Sequence, residues 1–167
     1  MEYFSSHNIK RALYVFGVIV ACLLFLFTIN VVIEKSAMKK VNNKSAHAVA
    51  VSVGDSVIWT EVANTEATRE HGLSGKITLA PNTGMLFVFE QSGMWGFWMK
   101  NMLFPIDIIW LDVSGKVVTM AQNVYPKSYP KVFYPISPAL YVLEVPTGFC
   151  NEHYIKEGSV IAIPKGL

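Results

Sequence analysis

A mainly β domain, a single small sandwich or partly closed barrel with one or two short helices, preceded by one transmembrane helix, is the architecture this sequence predicts. Three observations predict it. Residues 12–33 carry no charge and are almost wholly apolar. From residue 49 onward, about seven short β-type runs alternate with turn residues. Only one stretch of that region has a convincing helix start and stop.

The apolar run, ALYVFGVIVACLLFLFTINVVI, occupies Ala12–Ile33. At about 1.5 Å per residue it makes a helix of roughly 33 Å, enough to cross a hydrocarbon core of about 30 Å. A soluble helix of this size would show a polar stripe, yet only Thr28 and Asn30 are distinctly polar. A cleaved signal peptide has an apolar region of about 7–15 residues with small residues close behind it. Here Ala46-His47-Ala48 comes well after a longer run, so an uncleaved anchor is expected. The expected segments are an N-terminal tail (1–11), the anchor (12–33), a polar tether (34–48) and a globular β-rich head (49–167). Two basic residues precede the anchor and four lysines follow it, which by a literal count places the head inside the cell. The short tail and the abutting Lys10-Arg11 point the other way, and an external head is the expectation.

Hydrophobic residues make up 52% of the 167-residue chain and charged residues 16%, an excess that the anchor largely explains. Residues 1–45 contain six Lys/Arg and two Asp/Glu, whereas 46–167 contain eight and ten. The basic segment suits a lipid bilayer with anionic headgroups. The net negative head has no basic stripe, so nucleic acid is not an expected partner. Cys22 lies in the anchor and Cys150 in the head. A disulfide within the head and a cysteine-based zinc site are therefore excluded.

Within the head, Val49–Val53 and Val57–Val62 flank Gly54-Asp55-Ser56 and predict a hairpin. Asn64 or Thr65 caps a helix over about 65–73, with Ala67 and Leu73 toward the core and Glu66, Arg69 and Glu70 on the wetter side. Strands follow at Met85–Phe89, Gly96–Lys100 and Ile106–Asp112; the first two lack clean alternation, which predicts cover on both faces. A turn at Asp112–Gly115 leads into a strand over Lys116–Val124. After the proline-rich segment Tyr125–Pro138 come strands at Tyr141–Val145 and Val160–Ile163, with a short helix or turn near Phe149–Tyr154 between them.

Several segments carry a specific resemblance. They are Ala63-Asn64-Thr65, Arg69 and Gly72-Leu73; Gly84–Phe89; Phe97-Trp98-Met99-Lys100-Asn101-Met102 with Pro105–Ile108; Tyr141–Glu144; and Ile155–Gly158. Together they make Glu61–Ile163 resemble the prokaryotic domain-of-unknown-function 192 family. The resemblance implies a mainly β, sandwich-like fold and, in many members, an exported or membrane-tethered location. It brings no catalytic residue. Ser74 stands where many members have Met, and the segment before Tyr141 lacks a cysteine that some members carry.

The candidate ligand-binding residues are Trp95, Trp98, Lys100, Asn101, Asp107, Tyr134 and Glu144. Asp107 is an isolated carboxylate in an apolar strand and needs partners, because an unpaired buried charge is very costly. Lys100 and Asn101, across the bend at Pro105, are the expected donors. The result is either a structural knot or the floor of a ligand pocket. Trp95 and Trp98 suit an aromatic platform, although most tryptophans in a small β domain are core. The stiff Tyr125–Pro138 segment, with Tyr134, forms either a pocket wall or a brace over a sheet end. His71 and His153 lack ligand spacing, and neither a metal nor a cofactor is expected. Ser74 and Cys150 lack the surroundings of a nucleophile. The leading expectation is a membrane-tethered extracytoplasmic binding or accessory module for a small molecule, glycan or peptide. The alternatives are a hydrolase-type enzyme using Asp107 and Glu144 with Lys100, in which the two carboxylates must meet, and a purely structural envelope domain.

Overall fold

The computed structural model describes Phe16–Val20, Phe25, Ile29 and Ala48–Leu167. Phe16–Val20 is helical. The rest of the expected anchor and nearly all of the tether lie outside the described residues. Among the described residues no helix is long and apolar enough to cross a membrane. Contacts divide the chain into two units, Met1–Ala46 and His47–Leu167; the second is the head.

The head is mainly β with few short helices. In chain order it runs β1 (Ala48–Val53), β2 (Ser56–Ala63), helix α1 (Glu66–His71), β3 (Thr83–Gly93), β4 (Phe97–Trp98), β5 (Ile106–Leu111), β6 (Val117–Val124), a 3₁₀ turn (Pro126–Ser128), β7 (Val132–Phe133), β8 (Ala139–Pro146), helix α2 (Phe149–Glu152) and β9 (Ile161–Ala162). Seven strands form one sheet in the order β6-β5-β8-β3-β2-β1-β9, and β4 pairs with β7 in a separate ribbon. The hairpin expected at Gly54 is present, with Val53 opposite Ser56. Beyond it α1 carries the chain across to β3, which runs parallel to β2. Thr65 caps α1, and its hydroxyl accepts the Thr68 N–H while the Thr68 hydroxyl accepts the Thr65 N–H.

The sheet curls into a half-barrel rather than stacking on a second sheet. At the far edges Lys116 bridges Val160, the Val117 N–H donates to the Ser159 carbonyl at 2.8 Å, and the Ile161 N–H donates to the Gly115 carbonyl at 2.9 Å. One core cluster draws Val51, Ile58, Leu86, Ile109, Val117, Leu143 and Ile161 from all seven strands, as the inside of a closed curl requires. A second cluster, with Leu73, Phe87, Phe97, Met99, Ile108, Trp110 and Val142, covers the opposite face. Strand β5 is buried along its whole length because it lies between β6 and β8 with a core on each side.

Two expectations need correction. In Gly96–Lys100 only Phe97 and Met99 are buried, and Trp98 and Lys100 are exposed, since this segment pairs with β7 outside the main sheet and has cover on one face only. In α1 the inward residue is Arg69 rather than Ala67. Ala67 is exposed, whereas the Arg69 guanidinium donates to the Val88 carbonyl at 2.9 Å and lies over the Phe89 ring.

Candidate functional site

Strict alternation along β5 and β8 decides where the two carboxylates go. Asp107 sits opposite Val145, and Ile108 sits opposite Glu144. Residues directly opposite each other in a ladder share a face, so Asp107 joins the inner cluster and Glu144 faces the outer one. They do not meet, and no acid–base pair is formed.

Asp107 is fully buried and fully used. Its Oδ1 accepts the Asn123 N–H at 2.8 Å and its Oδ2 accepts the Cys150 N–H at 3.0 Å. These donors replace Lys100 and Asn101, which lie on the other side of the sheet, and they tie β6 and α2 to β5. The Thr147 hydroxyl extends the cluster by donating to the Asn123 side chain at 2.7 Å. Cys150 is buried beside it, and burial, reinforced by the Asp107 carboxylate, pushes its thiol far above the ordinary range. An unreactive thiol results.

Glu144 is the opposite case. It lies on central strand β8 between Met85 and Ile108 and is only 5% exposed. Among the described residues its carboxyl has no hydrogen-bond or ion-pair partner, and burial alone raises its pKa from 4.5 to about 8. It lines a cavity of about 180 Å³, and at neutral pH it is mostly the uncharged acid.

The walls come from three places. Strand β3 supplies Phe87 and Phe89; the β4 segment supplies Trp95, Phe97 and Trp98; the end of α1 supplies Arg69 and His71. Trp95 stacks on Phe89 at 4.2 Å between centroids, and Phe97 meets Phe87 edge-on. The Trp110 indole N–H holds the Trp95 carbonyl at 2.8 Å. Trp95's own indole N–H is buried without a partner among the described residues. The rim is pinned where the Ser74 hydroxyl donates to the Lys100 carbonyl and the Gly75 N–H to the Asn101 carbonyl, both at 3.1 Å. Exposed Lys100 lies over Trp98 at the mouth, 5.7 Å from the ring centre. A shallower recess of about 330 Å³ shares this rim and adds Asn101.

Of the sequence candidates, the structure thus brings Trp95, Trp98, Lys100 and Glu144 around one cavity, with Asn101 beside it. Asp107 lies elsewhere. Tyr134 packs against Gly96 behind the β4 wall, on the proline-rich segment that pairs with β4 through β7. That segment braces the wall from outside. Sequence reasoning missed Arg69 and Phe89, and an arginine on an otherwise exposed six-residue helix gave no sign of turning inward. Among the described residues no cluster of three His, Cys, Asp or Glu is placed to hold a metal.

The family model DUF192, described as Uncharacterized ACR, COG1430, matches residues 47–163. The chain belongs to this family. Two solved structures are similar to this DUF192 head. One is a protein of unknown function from Novosphingobium aromaticivorans DSM 12444, 30% identical, covering 70% of this chain and 85% of its own, with a TM-score of 0.66. The other, described as a "putative transcription regulator" from Sinorhizobium meliloti 1021, is 26% identical and covers 69% of this chain and 91% of its own, with a TM-score of 0.64. Among curated proteins, none matches.

Proposed function

We propose that the chain is a single-pass membrane protein whose head, outside the cytoplasm, binds a small molecule in the Glu144 cavity. The observation that carries the binding reading is a carboxyl buried at the floor of an aromatic-walled cavity with no partner among the described residues. Native proteins satisfy buried polar groups, so an unsatisfied one that faces a cavity is a place for a ligand. The tethering part rests on the uncharged run over 12–33. The hydrolase alternative loses its premise because Asp107 and Glu144 face opposite sides. A role in transcription, suggested by the description of the second similar structure, finds no support in a net negative head.

The binding test is a thermal-shift screen of the full chain in detergent against sugars, short peptides, organic acids, amines and amino acids. At least one class raises the melting temperature of the wild type, and the shift disappears in Glu144→Gln. A panel with no shift in any class overturns the reading. For placement, protease added to intact spheroplasts removes the head and leaves a membrane-bound stub; protection until the membrane is opened reverses the orientation.

A further inference from the structure

The cavity has different electrical characters at its two ends, an ionisable acid within and fixed cations outside. At the floor is the buried Glu144 carboxyl, and Phe87, Trp95 and Phe97 line the same cavity. Aromatic faces attract cations, and a buried carboxylate that meets a hydrogen-bonding cation at close range recovers part of its desolvation cost. Lys100 is exposed at the mouth, and half-buried Arg69, which spends one N–H on the Val88 carbonyl and lies over Phe89, lines the wall beside exposed His71. Neither Lys100 nor Arg69 has an acidic partner among the described residues, where the one ion pair is Lys76–Glu61. Glu70 also lines the cavity but reaches neither of them within ion-pair distance. A simple cation entering this site must pass two like charges, and a simple anion finds only the single O–H of the protonated acid at the floor and forgoes the charge pairing that an ionised Glu144 offers.

Size narrows the choice further. A volume of about 180 Å³ lies below the roughly 300–1,000 Å³ of sites for drug-sized ligands. Oligosaccharides and folded peptide segments are too large to be enclosed.

We infer that the Glu144 cavity takes a small zwitterion, a free amino acid or ω-amino acid, with its ammonium group against Glu144 among the aromatic rings and its carboxylate at Arg69 and Lys100. The inference rests on the binding reading above and adds the ligand class. It carries a proton signature. The acid is mostly protonated when the cavity is empty at pH 7 and ionises to pair with the ammonium, so binding releases nearly one proton to solvent. A hydroxyl or carbonyl ligand would leave that proton in place.

The test is isothermal titration calorimetry on the full chain in nanodiscs at pH 7, in two buffers of different ionisation enthalpy. The probes are glycine, L-valine, L-leucine and 4-aminobutyrate, each beside its half-molecules; for L-valine these are isovalerate and isobutylamine. At least one zwitterion binds ten-fold or more tighter than either half, with proton release close to one. Glu144→Gln abolishes the release and weakens binding at least ten-fold. Lys100→Ala weakens the zwitterion but leaves the amine half unchanged or tighter. Tighter binding of the carboxylate half, or binding with no proton release, overturns the zwitterion assignment. Silence from every zwitterion also overturns it. In those cases a response to sugars, peptides or organic acids in the thermal-shift screen leaves the binding reading standing, and no response in any class removes both.

Discussion

Replacing Glu144 by Gln makes the head more stable at neutral and alkaline pH, and the gain grows with pH. Burial holds the carboxyl at a pKa of about 8 in the folded head, against an ordinary 4.5. The folded state therefore keeps a proton that the unfolded state has already lost between those limits. Its contribution to stability is fully present below about pH 4.5 and is lost as pH rises through about 8. At about 1.4 kcal/mol per pH unit, the loss is roughly 3 kcal/mol at pH 7 and levels off near 5 kcal/mol above pH 9. Gln is uncharged throughout and of the same shape, and it keeps an unpartnered polar group in the same place. Burial cost and packing then cancel in the comparison, and only the ionisation remains. Urea titrations of both proteins at pH 4.5, 7 and 9, followed by tryptophan fluorescence, measure the gap. Other groups that titrate over this range appear equally in both proteins and drop out of the difference. Near-equality at pH 4.5 and a gap of several kcal/mol at pH 9 are expected. A gap that stays constant across pH would refute the claim that this carboxyl is buried without a partner.

Three further outcomes follow from other parts of the head. Asp107→Ala leaves the Asn123 and Cys150 N–H groups without acceptors and costs about 1–3 kcal/mol for each lost charge-assisted bond. Asp107→Asn recovers part of this through its one remaining acceptor oxygen, and chemical denaturation of both variants reads the order; equal stabilities would contradict it. Gly115→Ala puts a methyl group against the Ile161 carbonyl at a positive φ of 80°, so it costs at least about 1–3 kcal/mol and weakens hydrogen-exchange protection at the Ile161 amide. Thr65→Ala removes the cap of α1 for about 1 kcal/mol, a loss visible in the melting temperature.

The readable parts of the fold were the local ones. Gly54-Asp55 between two valine-rich runs specified its hairpin, the pair Asn64-Thr65 marked the start of α1 with Thr65 proving to be the cap, and the parity of Ile106–Leu111 sorted its residues correctly onto two faces. Parity alone does not say which face of one strand matches which face of another. That depends on register, and a one-residue slip between β5 and β8 would have put Asp107 and Glu144 side by side. The donors to Asp107 are likewise 16 and 43 residues away in the chain, and they are backbone amides that any residue type provides. The cavity was half readable, because Trp95, Trp98 and Lys100 lie within one short segment. Glu144 stood out as a carboxylate in an apolar strand, but its place at the floor, away from Asp107, and the inward turn of Arg69 were not readable, because each depends on packing between segments distant in the chain.

The meeting of β9 with both β1 and Lys116 has a consequence for the order of assembly. The first strand of the head and one of its middle strands share the last strand as neighbour. During synthesis from the N-terminus, β1 leaves the ribosome with its outer edge bare, and that edge stays bare until Ile161 emerges more than a hundred residues later. Local pairs such as the β1–β2 hairpin form early, but the edges of the curled sheet are joined by contacts of great sequence separation, which slow folding. An open edge is a template for another chain. For this head the exposed interval coincides with most of its own translation, and whatever attends the chain during that interval has β1 to guard.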